Sequence, residues 1–247
     1  MKIIQTRFLK NILTSALLVL VFSKTLAQSG QMELKKADSL FQAKQYTQSF
    51  ELYARLQKEK NYSPAMLLKM AYIQEGLGHT SMSLYYLNLY YQASHDEQAL
   101  TKMEEIAAKN SLDGYQSSEL SSFLTRLQRY SSQISAALFS IIVFFFALIY
   151  YQRVKQQKNP IAYAVVLLFF LALLFVHTHF SDYLKTGVVT ESATYLMSGP
   201  SAGSSVVSII TEGHQLKILG KTDVWIKVNW KDHEVFIKES SLLPVKL

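Results

Sequence analysis

The sequence predicts a multidomain membrane protein: an all-α repeat domain, a transmembrane helical hairpin and a small all-β barrel, in that order. Three observations predict it. Two long uncharged apolar runs, Ile134 to Tyr151 and Ile161 to Val176, flank a short basic connector. A helical pattern that recurs at an offset of 34 residues precedes them. Short apolar runs punctuated by Gly, Pro and Asp follow them, at the spacing of strands rather than helices.

Residues 1–27 have the three parts of a secretory signal. Lys2, Arg7 and Lys10 form the charged start, Ile12 to Phe22 the apolar centre, and Thr25-Leu26-Ala27 a small-residue cleavage site. An uncleaved anchor is the alternative. Both readings put residue 28 onward outside the inner membrane.

Residues 28–116 are expected to form the repeat domain. Setting Ala37 on Ala71 brings Lys44 onto Gly78, Ser49 onto Ser83 and Tyr53 onto Leu87. Each unit places small residues where two antiparallel helices approach closely, then large apolar residues at helical spacing. This pattern resembles the tetratricopeptide repeat, whose period is 34 residues. The Trp and the terminal Pro of that pattern are absent, and Pro64 falls three residues late. The segment from Asp96 to Asn110 is expected to be a further helix that caps the stack. The resemblance implies a partner-binding groove lined by the first helix of each unit: Leu34, Asp38, Phe41, Leu68, Tyr72 and Glu75. Inter-helix packing is the competing role for each apolar member. Gly114 and the serines after it mark a break, and residues 117–132 read as a juxtamembrane helix.

The hairpin comes next, with spans at 133–152 and 160–180 and a loop at 153–159. A bilayer core needs about 20 mostly apolar helical residues, and each run reaches that length with its flanks. A soluble core helix rarely runs this far without a polar face. The loop carries Arg153, Lys155 and Lys158 and no acid, so it belongs in the cytoplasm. Both flanking domains then lie on the periplasmic side. Charge supports the same orientation. The net charge is +7, and the leader contributes +4 and the loop +3. Residues 28–133 hold 11 basic and 11 acidic residues, and 181–247 hold 7 of each. Two neutral domains speak against a nucleic-acid partner.

Residues 186–247 are expected to form the barrel. Candidate strands are Val188 to Thr190, Ala193 to Met197, Gln215 to Leu219, Trp225 to Asn229 and Glu234 to Ile237. The run Ala193-Thr194-Tyr195-Leu196-Met197-Ser198-Gly199-Pro200 and the run Trp225-Ile226-Lys227-Val228 resemble the bacterial SH3 family. Val206, Val207, Ile210, Leu216, Ile218 and Leu219 fit its middle strands, and Leu242-Leu243 its end. Its closing Gly-Trp-Val is replaced by Val235-Phe236-Ile237. The resemblance implies an aromatic ligand surface from Tyr195, Trp225, Trp230 and Phe236. Trp225 is expected in the core, and Trp230, beside a turn, at the surface.

Chemistry is sparse. No cysteine is present, which excludes disulfides, thiolate nucleophiles and cysteine metal sites. Nine glycines form no phosphate-cradling loop. His177 and His179 sit where the second span ends, and an i,i+2 pair on a helix points to different faces, so an interfacial role outweighs a metal site. Neither an enzyme activity nor a cofactor is expected.

This order of parts resembles the BatE family of the Bat aerotolerance operons. That resemblance implies a periplasmic scaffold in the bacterial inner membrane, beside von Willebrand factor A domain proteins and linked to oxidative-stress tolerance. The alternative is a sensor whose SH3-like domain binds peptidoglycan peptides. A barrel that only rigidifies the complex is a third possibility.

Overall fold

The computed structural model describes residues 30–116, 130–156, 159–180 and 185–247. The leader and most of the juxtamembrane segment lie outside these residues. The chain divides into two compact units, with the break between Ser94 and His95.

The first unit is helical. Helix α1 covers residues 30–42, followed by α2 (Tyr46–Lys58), α3 (Pro64–Gly76) and α4 (Thr80–Ser94). The Ser63 hydroxyl accepts from the Met66 amide at 3.3 Å and Pro64 follows it, which together start α3. Positions related by the 34-residue offset share an environment. Ala37 and Ala71, and Ser49 and Ser83, are buried, and Tyr53 and Leu87 are buried after them. Lys44 (φ 60°) and Gly78 (φ 79°) both end a helix in the left-handed region. Each turn closes with the same pair of bonds: Lys44 N to Phe41 O and Gln45 N to Leu40 O, then Gly78 N to Glu75 O and His79 N to Gln74 O. The core between the helices holds Tyr53, Leu56, Leu67, Met70, Ile73, Leu84 and Leu89, all essentially inaccessible to water.

The second unit opens with α5 (Glu97–Lys109), capped by the Asp96 carboxylate accepting from the Gln98 amide. Two apolar helices follow, α6 (Ser131–Tyr151) and α7 (Ile161–Phe180). Both are long and apolar enough to cross a membrane. They pack as an antiparallel pair. Phe145 stacks on Phe170 with centroids 6.0 Å apart, and His177 Nε2 meets the Ser131 carbonyl at 3.2 Å. A π-helical turn, Gln152–Gln156, continues α6 into the connector.

The strands are β1 (Thr186–Val189), β2 (Thr194–Met197), β3 (Val206–Ile210), β4 (Gln215–Thr222), β5 (Trp225–Trp230), β6 (His233–Lys238) and β7 (Leu242–Pro244). They form one antiparallel sheet in the order β3-β2-β6-β5-β4-β1-β7. Each strand contributes to a single core, from Val189 and Leu196 through Ile226, Val228, Val235 and Ile237 to Leu242. The β5–β6 hairpin turns on Lys231 (φ 48°) and Asp232 (φ 64°). Two positive φ values suit the right-handed twist of the paired strands.

The strands differ from those expected: β1 lies two residues earlier at its start, and β7 is an added strand. β3 joins the sheet although its Val-Val-Ser-Ile-Ile run lacks strict alternation, and it exposes Val206, Val207 and Ile209. β4 runs three residues longer than expected, through an irregularity between Ile218 and Gly220.

Candidate functional site

In the helical unit, the structure gathers three of the six expected groove residues. Asp38 and Phe41 lie one turn apart on α1, and Tyr72 lies on α3. Phe41, Tyr46 and Tyr72 form a mutual edge-to-face cluster with centroids 5.5 to 6.1 Å apart. Beside it, Asp38 Oδ1 accepts from Lys69 Nζ at 2.7 Å and from the Tyr53 hydroxyl at 2.5 Å. Lys69 Nζ also stands 5.6 Å from the Phe41 ring centre. Burial, with the Asp38 hydrogen bond second, holds the Tyr53 phenol far above its usual range. Loss of water around Tyr46 raises its phenol as well, helped by Tyr72.

Tyr72 is 56% exposed and Leu68, one turn before it, 42%. Glu75 is exposed on the same face, and Leu34 is half-buried on α1. Lys69 was not among the expected residues. It follows Leu68 and points back to α1, where it neutralises Asp38. The result is one exposed ring, Tyr72, packed on two half-buried ones, with exposed Leu68 one turn away and a satisfied ion pair beside them.

In the sheet, the four expected aromatics do not converge. Side chains alternate across a pleated strand. Ile226 and Val228 of β5 point into the core, so Trp230 shares their side and packs against it. Trp225 takes the opposite, outer side. The expectation that Trp225 is core and Trp230 surface is therefore reversed by the pleat. Trp230 also meets the His214 ring edge-on at 5.2 Å, and Lys231 Nζ lies 5.2 Å from its centre. Tyr195 is 54% exposed, paired with the exposed Ile209 across β2–β3. Phe236 is half-buried between Lys227 and Met197. Tyr195, Phe236 and Trp225 thus lie on the outer face, without Trp230.

One contact region was not expected at all. Residues 112–115, following α5, lie against the start of β4. The Asp113 amide donates to His214 Nδ1 at 2.9 Å, and the Gln215 amide donates to the Asp113 carbonyl at 3.0 Å. The Tyr115 hydroxyl donates to the Gly213 carbonyl at 2.7 Å. Asp113 Oδ2 lies 3.8 Å from Lys231 Nζ and 4.0 Å from His214 Nδ1. Since Nδ1 accepts, the neutral imidazole carries its proton on Nε2, which faces Thr211 Oγ1 at 3.4 Å. Burial lowers the His214 pKa below 6.5. The Asp113 carboxylate opposes the shift, and Lys231 adds to it.

Among the described residues, no group of three or more His, Asp or Glu side chains could hold a metal ion. No protein-family model matches the chain, and no curated protein is significantly similar to it.

Proposed function

We propose that this chain is a membrane-anchored scaffold that binds partner proteins through its helical unit. The observation that carries the reading is the Phe41–Tyr46–Tyr72 cluster, with Tyr72 exposed and the other two rings half-buried, beside the Asp38–Lys69 pair. An exposed ring that already packs on its neighbours binds at little entropic cost, because its rotamer is set before the partner arrives. The shared environments at the 34-residue offset favour a tetratricopeptide-type repeat. The short antiparallel strands around one core favour an SH3-like barrel. In this reading α6 and α7 cross the inner membrane, the basic connector is cytoplasmic, and both soluble parts are periplasmic. The order of parts favours a BatE-type role among von Willebrand factor A domain proteins in oxidative-stress tolerance.

The test is affinity capture of the full chain from solubilised membranes, probed for von Willebrand factor A domain proteins. Tyr72→Ala, at an exposed hot-spot position, should reduce their recovery at least about tenfold. Equal recovery by the variant, or none by either chain, contradicts the reading.

A second reading has its own observation. Tyr195, Trp225 and Phe236 share the outer face of the sheet, beside the exposed Ile209. Such a surface suits a sensor of peptidoglycan peptides. The full chain should then co-sediment with sacculi, and Tyr195→Ala should weaken this.

A further inference from the structure

The start of β4 has a missing neighbour. On one side, Gln215, Leu216 and Lys217 pair with β1. On the other, pairing with β5 begins only at Lys217, opposite Asn229, and β5 ends at Trp230. The Gln215 amide therefore faces a lane that β5 has left, because the chain has turned at Lys231 and Asp232. A buried amide without an acceptor costs roughly 1–3 kcal/mol. Residues 112–115 fill this lane, and the Asp113 carbonyl takes that amide.

The fit requires glycine on both sides. Gly114 sits at φ 99°, and a Cβ there would overlap the Gln215 carbonyl oxygen. Gly213 sits at φ 95°, and a Cβ there would meet Leu112 Cδ1 at 2.8 Å. The end of α5 aims the segment at this place. Ser111 takes φ 54°, and the Leu112 amide bonds back to the Ala107 carbonyl. Tyr115, 8% exposed, then reaches the Gly213 carbonyl.

We propose that the sheet carries a strand-addition site beside β4 whose occupant is the chain's own 112–115 segment. The segment acts as a strap. It closes a ring in which the bonded residues are 98 and 101 positions apart in sequence, with α6 and α7 inside that ring. A ring closed on one side of a bilayer crosses it an even number of times. The strap therefore forces α5 and the sheet onto the same face, independently of the charge pattern. It also leaves that site closed to other extended peptides. The inference does not depend on what the Phe41–Tyr46–Tyr72 cluster binds.

A zero-length carbodiimide cross-linker tests this on the full chain, in detergent and in native membranes, read by peptide mass spectrometry. An amide between the Asp113 carboxylate and Lys231 Nζ is expected. The Lys221–Glu239 pair, at 2.5 Å between β4 and the residue that follows β6, reports that the sheet is folded. In Gly114→Val the first cross-link should be lost and the second retained. Mixing light and isotopically heavy chains should give only unmixed Asp113–Lys231 products. Absence of that product beside a normal Lys221–Glu239 product overturns the strap. So does its survival in Gly114→Val, or a mixed light–heavy product, which would make the contact one between two chains.

Discussion

The Tyr115 hydroxyl donates to the Gly213 carbonyl at 2.7 Å, joining residues on either side of both apolar helices. The bond is buried, and burial pushes the phenol pKa far above its usual range, so the donor keeps its proton under all ordinary conditions.

Removing that hydroxyl should be felt by the sheet. Tyr115→Phe leaves the Gly213 carbonyl without this donor, at a cost of about 1–3 kcal/mol. Tyr195→Phe, at a half-exposed side chain, should cost less than about 0.5 kcal/mol. Denaturation followed by tryptophan fluorescence measures both, since the two tryptophans lie in β5.

The strap should loosen in mild acid. His214 accepts the Asp113 amide only when Nδ1 is unprotonated, and its pKa is lowered below 6.5 in the folded chain. The unfolded chain therefore binds a proton first as pH falls. Stability is fully present above about pH 6.5, declines as pH drops below it, and levels off once the folded protein has protonated. The facing groups are the Asp113 carboxylate, which resists the loss, Lys231, which promotes it, and the Thr211 hydroxyl. Thermal melts between pH 8 and 5 should show this slope, and His214→Gln should flatten it.

Two adjacent leucines should behave oppositely. Leu67 is 0% exposed in the helical core and Leu68 is 42% exposed on the aromatic face. Leu67→Ala should cost about 2–5 kcal/mol through the cavity it leaves. Leu68→Ala should stay within about 0.5 kcal/mol in stability and weaken partner capture instead. Calorimetry and the capture assay separate the two effects.

The Asp38 carboxylate should matter for structure as well as for the surface. Asp38→Ala leaves the Tyr53 hydroxyl, inside the core, without its acceptor, and releases Lys69. A loss of about 1–3 kcal/mol is expected, most of it from the stranded hydroxyl. Tyr53→Phe on top of Asp38→Ala should recover part of that loss in the same melts.

The helical hairpin was legible because an uncharged run of this length has few physical alternatives. The repeat offset was legible because Ala37 and Ala71, and Ser49 and Ser83, occupy positions that admit only small side chains. β3 was harder: Val206 to Ile210 exposes apolar groups, so hydrophobic alternation does not mark it. The Trp225 and Trp230 environments were misread from turn proximity. The parity of Ile226 and Val228, both apolar, was the available signal, since it places Trp230 inward and Trp225 outward. The strap left almost no local trace. Its partners lie about a hundred positions away, and only Gly114 hinted at a backbone requirement. Lys69 escaped notice because its role comes from α1, a different helix.

The central proposal is that α6 and α7 cross the inner membrane as a hairpin, with the chain before and after them on its outer side and the basic connector inside. Because the chain has no cysteine, single cysteines report position cleanly. The test treats Ser39→Cys on α1, Gln156→Cys in the connector and Ala202→Cys between β2 and β3 with a membrane-impermeant maleimide, in intact and in lysed spheroplasts. Labelling of the Ser39 and Ala202 variants, with the Gln156 variant labelled only after lysis, is the expected result. Opposite labelling of the Ser39 and Ala202 variants, or labelling of the Gln156 variant in intact spheroplasts, would contradict the account.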